Sequence, residues 1–221
     1  MSNNEGATDK NHGAAGVLFV ISAPSGAGKT TLAGMTTQNV GGIKQSVSHT
    51  TRLKRPGETE GKSYFFVDKK RFETMIKKKM FVEWVRVHNE YYGTSYETVD
   101  NIIKGGSDLL LVINVEGALA LRRRFKETAL IFIIPPTMAH LEERLGRRGT
   151  EVVESIRQRI IEAKREMAAS VKFDYLVVND KIEVAAREIE GIVRAERCKT
   201  WRRVKNFPEF FKKRTGKGRK K

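Results

Sequence analysis

The chain has 221 residues, 39% of them apolar and 31% charged, with a net charge of +16 at neutral pH. That balance is globular, is long enough to bury a sizeable core, and excludes a weakly hydrophobic disordered chain. The longest apolar runs, near 109–113 and 129–134, are too short to cross a bilayer. Residues 1–16 lack a secretory hydrophobic segment, and the single Cys198 rules out an internal disulfide, so a cytoplasmic protein with a disordered N-terminal segment over 1–16 is expected.

Val17-Leu18-Phe19-Val20-Ile21 predicts a buried parallel strand. Behind it comes Ser22-Ala23-Pro24-Ser25-Gly26-Ala27-Gly28-Lys29-Thr30-Thr31. Strand, Gly-rich turn, Lys-Thr, helix is the layout of a phosphate-binding loop, whose consensus is G-x-x-x-x-G-K-[ST], with Ala23 here at the first position. Backbone N–H groups from Ser25, Gly26, Ala27 and Gly28 onward to Thr31 would point at phosphate oxygens, aided by the helix N-terminus. Lys29 would reach the β- and γ-phosphates, and the Thr30 hydroxyl would take one coordination position of Mg²⁺. A nucleoside triphosphate is the expected ligand. The helix runs to about Val40, weakened at Gly34 by about 1 kcal/mol relative to Ala, and Gly41-Gly42 ends it.

Next, Ser46-Val47-Ser48-His49 predicts a short alternating strand, residues 50–58 a polar loop, and Tyr64-Phe65-Phe66-Val67 another strand. Asp68 predicts the N-cap of a helix whose apolar face is Phe72, Met75, Ile76 and Met80. Phe81–Val87 and residues 90–92 read as strands of a small antiparallel unit, after which Ser95 caps a helix closed by Gly105-Gly106.

The alternation of strand and helix then resumes. A strand is expected over 108–114, a helix over 116–125 and a strand over Ala129–Ile134. Pro135-Pro136 breaks the chain and Thr137 caps a helix through Met138, Leu141 and Leu145. An interruption at Arg147-Arg148-Gly149-Thr150 precedes a long helix with Val153, Ile156, Ile160, Ala163 and Met167 on one face. Tyr175–Val178 is the last strand, and Asp180 with Glu183 predicts a capping box for a final helix. The pattern implies an α/β fold, a doubly wound parallel sheet carrying an antiparallel insert from about 46 to 97. From Lys199 to Lys221 there are eleven Lys or Arg against one acid, Glu209. This stretch reads as a solvated basic tail, with nucleic-acid contact as the alternative.

In the insert, Arg52 and Arg55 share a loop with Tyr64 and Tyr91-Tyr92 downstream, all donors to phosphate oxygens, so a phosphorylated acceptor is implied beside the triphosphate. Glu83, flanked by apolar residues on a strand, is an acceptor that can receive two N–H groups from a guanine, with Ser48 donating to O6. Arg144, Arg147, Arg148 and Arg159 flank the break at 149–150 and suit a lid that neutralises a transferring phosphoryl group.

Taken together, the residues resemble a guanylate kinase of bacterial type, within the phosphate-loop nucleoside monophosphate kinases, over essentially all of 17–197. The matching pieces are the loop at 23–31, Ser46-Val47-Ser48-His49-Thr50-Thr51-Arg52, Arg55-Pro56-Gly57-Glu58, Tyr64-Phe65-Phe66-Val67, Tyr91-Tyr92-Gly93-Thr94-Ser95, Arg148-Gly149-Thr150 and residues 175–180. The resemblance implies Mg²⁺-dependent transfer of the γ-phosphoryl of ATP to GMP. It implies a phosphate-loop core at 17–45 and 98–198 holding ATP, a mixed or antiparallel GMP-binding region at 46–97, a helical lid at 136–160 and a separate tail at 199–221. It assigns Ser48, Glu83 and Thr94 to guanine, and Arg52, Arg55, Tyr64 and Tyr92 to the GMP phosphate. Arg144, Arg148 and Arg159 go to the transferring group, and Asn179 to the neighbourhood of adenine. One departure stands out: Val112 and Asn114 occupy positions where the family usually carries acids. A sugar-phosphate kinase on the same scaffold and a non-catalytic guanylate-kinase-like binding module are the alternatives.

Overall fold

A computed structural model describes residues 16–87, 89–146, 153–204 and 207–211 of the chain. Five strands, β1 (Leu18–Ser22), β2 (Ile43–Gln45), β7 (Asp108–Val112), β8 (Ala129–Ile134) and β9 (Tyr175–Val178), form an all-parallel sheet in the order β2-β7-β1-β8-β9. All five residues of β1 are buried, because helices cover both faces. On one face Val17, Phe19 and Ile21 pack with Leu32 and Ala33 of α1 (Lys29–Asn39) and with Ala185, Ile189 and Val193 of α7 (Ile182–Arg197). On the other, Leu18 and Val20 meet Val99 of α3 (Tyr96–Lys104) and Ala118 and Leu121 of α4 (Val115–Arg124). Alternate residues of one strand thus serve two cores, which is why β1 reads as an unbroken apolar run.

The second sheet is mixed, in the order β4-β3-β6-β5, with β3 (His49–Thr50), β4 (Phe65–Phe66), β5 (Phe81–Val87) and β6 (Glu90–Ser95). β5 and β6 pair antiparallel with a register shift between Phe81 and Glu83, and β3 runs parallel to β4. Its own core is Phe72, Met75 and Phe81, backed by α2 (Lys69–Lys77). Asp68 caps α2 as expected, accepting from the Arg71 N–H at 2.7 Å, and Ser95 caps α3 through the Thr98 N–H.

Three local readings are corrected. The strand expected over 46–49 is two strands: Ile43–Gln45 pairs with β7 at the core edge, and His49–Thr50 belongs to the second sheet. Ser46-Val47-Ser48 lies between them, crossing from one sheet to the other. The strand expected over 108–114 stops at Val112, because the Asn114 side chain accepts from the Gly117 N–H at 2.8 Å and starts α4. The expected capping box at Asp180 is not formed: Lys181 is the N-cap of α7, without a side-chain cap.

At the chain's ends, Gly16 belongs to the fold, donating its N–H to the Ile103 carbonyl at 2.8 Å; the rest of the expected N-terminal segment lies outside the described residues. At the other end the body extends past Lys199. Glu196 is buried, and it receives Tyr175 Oη at 2.5 Å, Lys199 Nζ at 2.5 Å and Arg202 Nη2 at 3.5 Å. Burial alone would raise the Glu196 carboxyl, but these donors bring it below its ordinary range; burial and the Glu196 carboxylate push the Tyr175 hydroxyl up to about 12. A buried carboxylate needs such partners, so the residues that supply them cannot belong to a free tail. Among the described residues no helix is long and apolar enough to cross a membrane.

Candidate active site

The phosphate loop leaves the carboxyl end of β1, between β7 and β8, the place where parallel α/β sheets bind ligands. Gly26 and Gly28 both have positive φ, 85° and 93°, a conformation that favours glycine. At Gly28 there is a second reason: a Cβ would sit 2.5 Å from Asn179 Nδ2. That amide donates to the Ala27 carbonyl at 2.8 Å and is itself buried, so Asn179 braces the loop from behind. The Asn179 carbonyl accepts from Arg144 Nη2 at 3.0 Å, which ties α5 (Met138–Gly146) to the same point. Lys29 Nζ donates to the Ala23 carbonyl and to that of Pro24 at 3.4 Å, curling the ammonium over the loop. Ser25, Thr30 and Thr31 are exposed at its mouth.

The second sheet brings together residues far apart in sequence. Glu83 on β5 and Thr94 on β6 are register partners, and Thr94 Oγ1 donates to Glu83 Oε1 at 3.3 Å. Ser48 Oγ lies 3.2 Å from Thr94 Oγ1; since the Thr94 proton is committed to Glu83, Ser48 donates. Burial pushes the Glu83 carboxyl above its ordinary range, opposed by hydrogen bonds from Thr94. Glu83 also abuts the core. A Cβ on Gly117 would lie 3.2 Å from the Glu83 Cβ and 2.9 Å from Asn114 Oδ1, so a side chain there would press on both the cap and Glu83 where α4 meets the second sheet.

Nearby, Arg52 Nη2 donates to Glu58 Oε1 at 2.6 Å and its Nη1 to the Leu53 carbonyl at 2.7 Å. The guanidinium lies 5.5 Å from the centre of the Tyr64 ring, and the Tyr64 and Tyr92 rings are 6.0 Å apart. The other oxygen of Glu58 accepts the Arg55 N–H at 2.8 Å, while the Arg55 side chain is exposed. The Arg52 hydrogen bond, with that of the Arg55 backbone, holds the Glu58 carboxyl below its usual range.

α5 and α6 (Val153–Ala169) pack through Leu141, Leu145 and Ala163, and a Cβ added at Gly26 would lie 3.2 Å from Leu145 Cδ2. Arg159 is half-buried on α6. Arg148 and the rest of the expected break lie outside the described residues.

A family model described as guanylate kinase matches residues 16–196. The chain belongs to the guanylate kinase family. Among curated guanylate kinases, that of Desulfitobacterium hafniense is 41% identical over 203 residues, covering 92% of this chain and 98% of the relative. That of Desulfotalea psychrophila is 46% identical over 194 residues, 87% and 96% of the two chains. A crystal structure of guanylate kinase from Anaplasma phagocytophilum has a TM-score of 0.66 at 34% identity, covering 89% of this chain and 96% of that one.

Within this guanylate kinase family frame, two acids come forward that residue-by-residue reasoning did not single out. Glu58 supports both the Arg52 side chain and the Arg55 backbone; its signal was its place in the Arg55-Pro56-Gly57-Glu58 segment. Glu166 on α6 lies in the field of Lys29 and Glu116. Burial raises its carboxyl, Lys29 lowers it, and Glu116 and Glu162 raise it further. Nothing in its helical periodicity marked it. Asn179 comes out as a brace of the loop rather than a residue with a free amide.

Proposed function

We propose that the chain acts as a guanylate kinase, moving the γ-phosphoryl of ATP to the phosphate of GMP to give ADP and GDP. The observation that carries this is the junction at Gly117: the acceptor-side Glu83 is lodged against the start of α4, directly after β7. β7 is the hydrogen-bonded neighbour of β1, from which the phosphate loop leaves. In this reading the base-binding Glu83 and the triphosphate loop share one end of one sheet.

In this reading the loop N–H groups and the α1 N-terminus hold the triphosphate, and the Lys29 ammonium exchanges its carbonyl partners for β- and γ-oxygens. Arg52, Arg55, Tyr64 and Tyr92 take the GMP phosphate. The Glu83 carboxylate receives guanine N1–H and N2–H, while Thr94 fixes its orientation and Ser48 turns its proton to O6. Arg144, Arg159 and Arg148 close over the transferring group, which needs placement and charge neutralisation more than covalent help.

Mg²⁺ fits this donor set. The Thr30 hydroxyl is a hard oxygen at the loop mouth, and such an ion takes its other ligands from phosphates and water; among the described residues no group of three His, Cys, Asp or Glu is arranged to hold a metal. When bound, the ion would neutralise charge between the β- and γ-phosphates. We also propose that the core spans 17–45 and 98–198, with the lid at 136–160 and the GMP region at 46–97.

The test is ADP release with ATP and Mg²⁺ against GMP, its deoxy form, AMP, CMP, UMP and a hexose phosphate. Turnover confined to GMP and its deoxy form supports the reading. Turnover of the hexose phosphate, or binding of GMP with no turnover of any acceptor, would replace it with one of the alternatives.

A further inference from the structure

Thr51 and Glu90 stand just outside the residues assigned to the GMP phosphate, Thr51 directly before Arg52 and Glu90 two residues before Tyr92. β3 ends at Thr50 and β6 begins at Glu90, yet the pairing of the two strands runs one residue past β3. The Thr51 N–H donates to the Tyr91 carbonyl at 3.1 Å, and the Tyr91 N–H donates back to Thr51 Oγ1 at 2.9 Å. The Thr51 hydroxyl proton is committed to Glu90 Oε2. Proton and oxygen are thus both engaged, and a hydroxyl that donates to a carboxylate accepts more strongly. Beside it, buried Thr50 accepts the Arg52 N–H on its own Oγ1 at 3.2 Å. There the chain leaves the sheet and the loop at 52–58 begins.

Thr51 and Tyr91 are 40 residues apart in sequence, so this clasp joins two distant segments. Glu58 cannot do the same, because it lies in the same loop as Arg52 and fixes the loop's internal shape. The bonds through Thr51 instead fix the root of the loop against the strand that carries Tyr92. On the proposed reading that GMP is the acceptor, on which this rests, we infer that Glu90 is a positioning residue for the acceptor phosphate. Through the Thr51 hydroxyl it sets the spacing between Arg52 and Tyr92. A carboxylate merely lying near an anion site would repel the phosphate, and its removal would tighten GMP binding. A clasp gives the opposite sign.

Steady-state kinetics of the full chain, with GMP and ATP varied separately, test this. Thr51→Val keeps the shape of the side chain, and Glu90→Ala removes the acceptor while leaving the strand pairing in place. In each, KM for GMP is expected to rise about tenfold, with kcat reduced less than that and KM for ATP held within about twofold. Thr51→Ser restores the hydroxyl and should bring KM for GMP back to within about threefold of the parent's. The double variant should be no worse than Thr51→Val alone, since both changes remove the same bond. Should Thr51→Val fail to fold, Glu90→Ala and Thr51→Ser still carry the comparison. An unchanged KM for GMP in the variants overturns the inference, as does a lower one in Glu90→Ala. So does an equal rise in both KM values with a falling melting temperature, the mark of general loosening. A parent that neither binds nor turns over GMP would instead remove the reading of the acceptor, and this role with it.

Discussion

In the proposed reading, the phosphate loop and the acceptor pocket handle the same chemical group by opposite means. The loop is one continuous stretch whose binding groups are mostly backbone N–H, and its shape is set by Gly26, Gly28 and the brace from Asn179. The proposed acceptor pocket is built from side chains before β3 and β4, on β5 and β6 and in the loop at 52–58, with Arg52 held by Glu58, Glu83 by Thr94, and Ser48 hydrogen-bonded to Thr94. A backbone site tolerates substitution at positions that keep the turn, as Ala23 does at the first consensus position. Where a side-chain ligand is held by another side chain, as Arg52 is by Glu58 and Glu83 by Thr94, losing the partner should cost nearly as much as losing the ligand.

That contrast is open to attack by mutation, the largest effect expected at the loop's one indispensable side chain. Lys29→Met should lower turnover about 10³-fold or more, because a point charge on the transferring group is lost in a site where such charges dominate, while circular dichroism and thermal melting stay near the parent's. Near-normal turnover would mean that the loop's backbone suffices alone.

Asn179→Ala probes the brace. It removes the buried donor to the Ala27 carbonyl, which should cost about 1–3 kcal/mol of stability and raise KM for ATP more than KM for GMP. If only ATP affinity changes and the melting temperature does not, Asn179 contacts the nucleotide rather than the loop.

Glu58→Gln then tests whether the acceptor side depends on positioning. Arg52 loses its charged partner, and KM for GMP should rise roughly three- to tenfold, a range kept small because the pair is near solvent, with kcat changed less. Since Arg52 holds the Glu58 carboxyl below its usual range, the pair persists as pH falls through ordinary carboxylate values. Of the two carboxylates, Glu83 is therefore the one expected to weaken GMP binding in mildly acid solution, beside protonation of the GMP phosphate itself. A kcat loss with unchanged KM would place Glu58 in the transfer step itself.

The smallest effect is expected at the departure from the family. Asn114→Asp keeps an oxygen on the Gly117 N–H and so keeps the cap, leaving stability within about 0.5 kcal/mol. It adds a negative charge beside the sheet end, and turnover should rise, or the Mg²⁺ requirement fall, by a factor of a few. If neither moves, Asn114 serves as a helix cap only, and Glu166, which lies in the field of Lys29, and Glu116, which acts on Glu166, become the next residues to vary.

The two sites also differed in how far the sequence disclosed them. The loop, β1, β8 and β9 were legible because apolar runs and a contiguous motif record them directly. Asp68 and Ser95 were legible as caps for the same reason. The edge strand Ile43–Gln45 escaped notice because two of its three residues are exposed, leaving little apolar signal. Asp180 and Glu183 carried the spacing of a capping box, yet the chain turns one residue later. In the acceptor pocket single residues such as Glu83 were legible as candidates only. Their meeting depends on strand pairing between 83 and 94 and on the crossing at 46–48, which no local pattern encodes. Glu58 was invisible as a support because its role lies in its contact with Arg52.

The direct test of a side-chain-built guanine pocket is the ratio of kcat/KM for GMP to that for AMP, measured in parent and in Glu83→Gln across mildly acid to neutral pH. Guanine presents two donors to an ionised Glu83, whereas adenine presents the lone pair of N1, so the parent should prefer GMP by on the order of 10⁴-fold. Burial raises the Glu83 pKa, so the carboxylate is lost at a pH above the ordinary carboxylate range. The parent's preference should therefore weaken as pH falls through that value and recover as pH rises. In the variant the amide can donate to adenine N1, GMP efficiency should fall, the ratio should shrink by at least tenfold, and its pH dependence should disappear. A ratio that Glu83→Gln leaves unchanged, or a parent that uses GMP and AMP equally, would contradict the account by removing Glu83 from the base-binding pocket.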